Sequence, residues 1–334
     1  MKSEKRKAFI PKVIATGALL AMLTSAAPRP VSSYYDTSAA RNNTYSVSEG
    51  TLETASYVNN YSQAAGVTQS GGKIKYNLPG IVKKTLWSYP LYTATVNGVK
   101  LYDYATYING VTYLPLRAYF EALGAKVSYN AQSRTMTVSA KGLYLTASDG
   151  GYCVYANDRP IFSFSPNVIM SNGRMYVPAS ALTKITGQSF TRTDSTVAVT
   201  GSFSPLATAK SYYREDEVFW LARIITAEAK GESLLGQIAV GNVILNRVNS
   251  PLYPNTIYGV IFDRKYGVQF SPVLDGSIYN TPSYTATLAA KICLEGTHLS
   301  GDALFFLNPL TAQSNWIVKS REYAYTIGGH DFYK

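Results

Sequence analysis

Histidine and cysteine are almost absent from this chain, with two of each in 334 residues. The cysteines, Cys153 and Cys293, fall in segments expected to belong to different domains, so a disulfide framework is excluded. Cys293 lies in the apolar helical stretch Leu288 to Leu294, where it reads as a small buried hydrophobe and not a nucleophile. With His298 and His330 as the only imidazoles, neither cysteine–histidine catalysis nor a dedicated zinc site is expected, and nothing calls for a metal or other cofactor. Charge is scarce too: 15% of residues are charged against 46% hydrophobic, which excludes a disordered polyelectrolyte and implies folded domains. No Lys/Arg stripe interleaved with aromatics marks a nucleic-acid groove, so nucleic acid is not an expected partner.

What is present at the N-terminus is a leader pattern. Lys2, Lys5, Arg6, Lys7 and Lys12 precede an apolar run from Val13 to Leu23 and the small residues Ser25, Ala26 and Ala27. The run is confined between Pro11 and Pro28, short of the ~20 residues a membrane span needs. Residues 1–26 are therefore expected to be a signal peptide cut after Ala26, leaving no stable transmembrane segment. Its loss lowers the formal charge from +11 to +7, because it carries five basic residues and the acidic Glu4. An exported chain of that sign is drawn to polyanions, anionic wall polymers among them. Residues 27–86, rich in Ser, Thr, Asn, Tyr and Gly without sustained periodicity, read as a flexible linker.

An internal repeat occupies residues 87–201. Asn109-Gly110 matches Asn172-Gly173, Tyr113 matches Tyr176, Pro115 matches Pro178, Ala118 matches Ala181 and Gly124 matches Gly187, every pair 63 residues apart. Each copy reads as a hairpin at Asn-Gly, a strand entering a Pro-started helix, a Gly stop and a returning hairpin: a small α+β module, duplicated. Residues 202–213, polar and containing Pro205, read as a second linker.

The chemistry is expected in residues 214–334. Val218, Leu221, Ala222 and Ile225 line one face of a helix over 216–230, opened by Glu215, Asp216 and Glu217 and stopped at Lys230-Gly231. A second helix follows over 233–248. Glu228 falls in the last turn of the first, near the negative end of the helix dipole. Burial there adds to the dipole in favouring the protonated acid, which is what proton donation to a glycosidic oxygen near neutral pH requires. An exposed Glu228 paired with a nearby cation is the alternative on position alone.

Ala227-Glu-Ala-Lys-Gly-Glu232, Gly236-Gln-Ile-Ala-Val240 and Val243-Ile-Leu-Asn-Arg-Val248 resemble the opening of the SleB-type cell-wall hydrolases, a family founded on spore cortex-lytic enzymes. Gln269-Phe-Ser-Pro, Asp275-Gly, Ala303-Leu-Phe-Phe-Leu-Asn-Pro309, Asn315-Trp-Ile and Ile327-Gly-Gly-His-Asp-Phe-Tyr333 continue the pattern in order. Upstream, Asn109-Gly-x-x-Tyr-Leu-Pro-Leu-Arg117 and Glu121-Ala-Leu-Gly-Ala-Lys-Val127 resemble the stalk module named after the N-terminal domain of copper amine oxidases, here with no histidine to hold copper. The resemblance implies an α+β chain: a lysozyme-like catalytic domain preceded by the duplicated stalk. It also implies peptidoglycan glycan strands as partner, and a secreted, wall-associated location, extracellular or in the spore cortex. The implied reaction is a lytic transglycosylase's cleavage of the bond between N-acetylmuramic acid and N-acetylglucosamine, with Glu228 as the acid. A hydrolytic muramidase and a non-catalytic wall-binding scaffold are the alternatives.

Around Glu228, Asp275 and Glu232 are candidates for a second acid or an electrostatic tuner, and Glu232 also reads as a cap on the second helix. Gln269, Phe270, Ser271 and Trp316 are candidate groove residues, the rings for stacking on sugars and the polar groups for N-acetyl or hydroxyl oxygens, with core packing as the competing reading. His330 reads as a structural hydrogen-bonding residue.

Overall fold

The computed structural model describes residues 89–163, 168–265, 267–299, 301–312 and 315–334, together with the strands Thr68–Ser70 and Lys73–Tyr76. The expected signal peptide and most of the expected tether lie outside the described residues. The described chain is α+β throughout.

Between Tyr89 and Thr200, short β-branched and aromatic runs alternate with Asn-Gly turns. The hairpin Ala105–Ile108/Val111–Pro115 turns at Asn109-Gly110, and Ile169–Ser171/Arg174–Pro178 turns at Asn172-Gly173. All four turn residues have positive φ, +47°, +88°, +49° and +73°, the mirror-image turn whose twist matches the flanking strands. Each hairpin passes through a proline into a short helix, Leu116–Ala122 or Ala179–Thr186. Each helix then leads to a second hairpin, Lys126–Asn130 with Thr135–Ala140 or Ser189–Arg192 with Thr196–Thr200. The inner strands of the two Asn-Gly hairpins pair antiparallel, placing Tyr113 opposite Pro178, Leu114 opposite Val177 and Pro115 opposite Tyr176.

These strands build two sheets. One runs from Ile169–Ser171 through the two hairpins and Leu91–Val96 to Thr196–Thr200 and Ser189–Arg192. The other is an antiparallel meander from Lys126–Asn130 through Leu143–Ser148 and Cys153–Ala156 to Arg159–Phe162. A shared apolar core, including Leu114, Tyr119, Phe120, Val138, Leu145, Val177, Leu182 and Val199, lies between sheets and helices.

The C-terminal part is mostly helical. Helices Glu215–Ala229 and Leu234–Asn249 form within one residue of expectation, because their apolar stripes have a third helix, Tyr284–Leu294, to bury against. Gly241 permits a close crossing, since a Cβ there would fall 2.7 Å from Cys293 Sγ and 2.9 Å from Ile225 Cδ1. Beside the helices, Phe305–Leu307, Tyr323–Ile327 and His330–Tyr333 pair in one sheet. No helix among the described residues is long and apolar enough to cross a membrane.

Two expectations change. The segment read as a featureless tether supplies Thr68–Ser70 and Lys73–Tyr76, and the second strand pairs in parallel with Tyr323–Ile327. A three- or four-residue strand has too little periodicity to detect, and its partner is some 250 residues away. Residues 202–208 are not a loose connection: Ser204 N and Leu206 N donate to Thr186 O and Ile185 O at 2.8 and 3.0 Å, and Asn157 Nδ2 donates to Leu206 O at 2.7 Å. Cys153, in the repeat-bearing part, and Cys293, in the helical part, share one buried cluster, because the hairpin Cys153–Ala156/Arg159–Phe162 packs on the Tyr284–Leu294 helix. Both are free thiols, and burial holds both in the neutral form, Cys153 at about 12.

That contact is locked by charge. Arg159 grips Glu295 with two bonds, Nε to Oε1 at 2.7 Å and Nη2 to Oε2 at 2.9 Å, while its guanidinium lies 3.4 Å over the Tyr212 ring. Tyr213 Oη donates to Glu295 Oε1 at 2.6 Å, and Lys184 Nζ donates to Glu295 O at 2.7 Å. Burial opposes the Glu295 charge, but the Arg159 bonds and the Lys184 charge outweigh it and hold the carboxyl below its ordinary value. The repeat-bearing part is thereby bolted to the helical part at a buried, hydrogen-bonded ion pair.

Candidate active site

Glu228 sits in the final turn of Glu215–Ala229, near the negative end of the helix dipole. Leu221, Ile224 and Ile225, on the preceding turns, are fully buried and pin this face to the core. The residue is half-buried overall, yet its Oε1 is closed to solvent and has no hydrogen-bond partner among the described residues. Burial, with the nearby Arg247 opposing and the Asp275 carboxylate adding, raises the carboxyl from 4.5 to about 8. At neutral pH Glu228 is therefore a protonated acid.

Arg247 is the residue that reading the sequence passed over. It is fully buried on Leu234–Asn249, its Nε donates to Leu304 O at 2.8 Å, and its guanidinium lies among Tyr253, Phe270 and Phe305 at 5.0 to 5.5 Å from their centroids. Its Nη1 has no hydrogen-bond partner among the described residues. Burial lowers its affinity for a proton, with Tyr253 and Glu228 opposing. The signal was an arginine inside the apolar run Val243-Ile-Leu-Asn-Arg-Val248, a position that needs a buried acceptor or counter-charge. Its helix neighbours do similar service: Asn242 Nδ2 donates to Thr297 O at 2.7 Å and Asn246 Nδ2 to Ala303 O at 2.9 Å. One helix face thus fastens the 297–304 segment by three polar side chains.

Asp275 ends the short helix Pro272–Asp275, which packs on the Glu228 helix. It is exposed, its Oδ1 accepts from Ser277 N at 2.8 Å, and the Ser277 side chain first, with that backbone bond second, holds the carboxyl below its ordinary value. Asp275 is an anion that biases Glu228 toward protonation; nothing in its setting makes it an acid.

Glu232 is not the helix cap. Ser233 is, with its hydroxyl accepting from Gly236 N at 3.4 Å. The Glu232 side chain instead crosses to the C-terminal turn, where Oε2 accepts from Gly329 N at 2.9 Å and Oε1 lies 3.5 Å from His330 Nδ1. The fit is close: a Cβ on Gly328, whose φ is +59°, would meet Glu232 Oε2 at 2.0 Å. His330 is buried, which lowers its pKa against the pull of Glu232 and Asp331.

The groove candidates separate. Phe270 is fully buried in the core against Arg247, and Gln269 is buried with its Nε2 bonded to Gly267 O at 3.3 Å. Both side chains are turned into the interior, Phe270 as apolar cover for the buried guanidinium. Ser271 is half-buried at the start of Pro272–Asp275. Trp316 packs edge-on to Phe305 at 6.2 Å and under Arg321, in a small cluster of its own. The exposed aromatic surface lies elsewhere. Trp220 contacts Tyr258, Phe262 and Tyr279 edge-on at 5.2 to 6.3 Å, and Phe219, Tyr258 and Tyr279 are exposed. Trp220 is two turns, about 12 Å, before Glu228 on the same helix.

Two parts of the chain resemble known proteins. A family model described as Cell Wall Hydrolase matches residues 231–333, starting just after Glu228, and one described as Copper amine oxidase N-terminal domain matches residues 95–200. Over 103 residues the chain is 31% identical to Cell wall hydrolase CwlJ of Oceanobacillus iheyensis, covering 72% of that protein. Through its C-terminal part the chain belongs to the cell wall hydrolase family. It is also 43% identical over 120 residues to a spore cortex-lytic enzyme of Halalkalibacterium halodurans and over 122 residues to one of Bacillus cereus. In both, 36% of this chain is matched, and it spans only 35% and 46% of those relatives. Among solved structures, the catalytic domain of the germination-specific lytic transglycosylase SleB from Bacillus anthracis is 43% identical, with 36% of this chain and 97% of that chain covered and a TM-score of 0.34.

Proposed function

We propose that the chain is a secreted peptidoglycan lytic transglycosylase in which residues 214–334 form a lysozyme-like catalytic domain and Glu228 is its acid and base. The observation that carries this is a carboxyl held protonated to about 8 at a helix end, with a desolvated Oε1 that has no hydrogen-bond partner among the described residues. Glu228 gives its proton to the oxygen bridging N-acetylmuramic acid and N-acetylglucosamine, the C1–O bond breaks, and positive charge develops at C1. The resulting carboxylate takes the proton of the muramic 6-hydroxyl as that oxygen closes on C1, leaving a 1,6-anhydro end and regenerating the acid. No second carboxylate nucleophile is needed, which agrees with an Asp275 already engaged by Ser277. In this reading Phe219, Tyr258 and Tyr279 offer the faces on which sugars stack.

Residues 87–201 serve as the stalk, a duplicated unit. The inter-hairpin register supports this, because Tyr113 faces Pro178 while its counterpart Tyr176 faces Pro115, as a two-fold relation between copies requires. Residues 1–26 direct export, 27–86 and 202–213 connect, and the positive charge retains the enzyme among anionic wall polymers.

Digestion of purified sacculi, read by mass spectrometry of the released muropeptides, tests the reaction. Anhydro ends from the wild type and none from Glu228→Gln are expected. Reducing muramic ends would replace ring closure by hydrolysis, absence of cleavage by either protein would leave a scaffold, and equal cleavage by both would remove Glu228 from the mechanism.

A further inference from the structure

A cleft of about 80 Å³ opens in the repeat-bearing part, where the turn at Asn172-Gly173 meets the loop after Leu101. Buried Tyr176 and Ser171, the Asp103–Arg174 ion pair, and the rings of Tyr102 and Tyr104, 63% and 48% exposed, line it. Tyr102 is held in place by its hydroxyl, which donates to Glu121 Oε2 at 2.8 Å. Arg174 is steadied by Asp103 and by an Nη1 bond to Asn172 O at 3.3 Å.

The lining selects the ligand. An anion would find Arg174 already neutralised and the Asp103 carboxylate beside it. A cation would meet Arg174. Planar bidentate groups next to exposed aromatic faces suit a neutral polyhydroxyl ring, whose C–H face stacks while its polar edge bonds to carboxylate and guanidinium. Size narrows it further: the cleft is well below the ~300 Å³ of a site that encloses a whole small molecule. It therefore takes one short substituent, and an acetamido group, half apolar methyl and half amide, matches a lining that is part tyrosine ring and part ion pair.

We propose that this cleft is a second saccharide site, separate from Glu228, which seats the N-acetyl arm of an amino sugar in a glycan strand while Tyr102 and Tyr104 carry the ring. The proposal rests on the reading that the catalytic part acts on N-acetylated glycan. Two sites on one polymer raise the local concentration of each for the other, so the stalk holds the enzyme on its insoluble substrate between cuts.

The test measures retention of the exported chain on purified sacculi, with Glu228→Gln present so that the polymer stays intact. Tyr102→Ala/Tyr104→Ala is expected to weaken retention about tenfold, while the same pair in the active chain leaves kcat on short soluble glycan fragments unchanged. Tetra-N-acetylchitotetraose should displace the protein from sacculi and cellotetraose, which lacks acetamido groups, should not. Unchanged retention in the double variant, or displacement by both oligosaccharides alike, overturns the proposal. Tyr144→Ala, an exposed tyrosine on Leu143–Ser148, is the control expected to change nothing, and Tyr104→Ala alone serves if the double variant melts early. The two readings fail separately. If Glu228→Gln still cleaves while the tyrosine variant loses retention, the catalytic assignment falls and the cleft stands; normal retention with a dead Glu228→Gln does the reverse.

Discussion

Replacing Glu228 by glutamine should make the protein increasingly more stable than wild type as pH rises, even as it slows cleavage. The folded state holds the Glu228 proton up to about 8, against an ordinary glutamate value of 4.5. Between those values the unfolded chain has released its proton and the folded chain has not, so wild-type stability falls as pH increases. The interval corresponds to roughly 5 kcal/mol at full burial. Because the side chain is only half-buried, solvent reduces the expected figure to about 3 kcal/mol. Glutamine keeps the shape without the titration. The stability difference between Glu228→Gln and wild type, from urea unfolding at a series of pH values, should be near its minimum below pH 4.5 and grow by about 3 kcal/mol up to pH 9. In the same interval wild-type cleavage should show an alkaline limb with a midpoint near 8, and the variant should lose about 10²- to 10⁴-fold in rate. A stability difference that stays flat from pH 4.5 to 9 would refute the claim that Glu228 is desolvated in its charged form.

Arg247 lowers the Glu228 pKa, so Arg247→Met should move the alkaline limb of the pH–rate profile upward; a limb that stays or moves down would show that the two charges do not sense each other. Glu295→Gln leaves Arg159 charged inside the protein and should cost about 3–5 kcal/mol in denaturant unfolding. Because the Glu295 carboxyl is held below its ordinary value, its contribution is present above about 4.5 and lost as pH falls through the folded value, so acid should loosen the wild-type contact and change the variant little, as hydrogen exchange across Cys153–Phe162 would report. Gly328→Ala places a Cβ into Glu232 Oε2 at a positive φ and should lower the thermal midpoint by several degrees, through about 1–3 kcal/mol.

Much of this was readable because it is local. The 63-residue offset, the Asn-Gly turns and the apolar stripe ending at Lys230-Gly231 are short-range signals, and hairpins and helices formed where they pointed. The errors share a physical origin in contacts between residues far apart in sequence. Phe270 looked like a sugar platform because nothing adjacent to it announces that Arg247 needs its ring. Glu232 looked like a cap because Gly329, 97 residues on, is invisible from position 232.

That long-range pair also changes what a stalk means here. A module on a flexible link raises the local concentration of its partner only as far as the link wanders, whereas one bolted at Arg159–Glu295 fixes direction as well as distance. The proposed cleft and Glu228 would then meet a glycan strand at a constant separation, and cleavage would recur at a preferred distance from the bound amino sugar. On soluble strands of defined length, wild type should yield fragments clustered around one length. Glu295→Gln, if still folded, should broaden that distribution without changing the chemistry at the cut ends. A wild-type distribution as broad as the variant's would mean that the rigid contact serves stability alone.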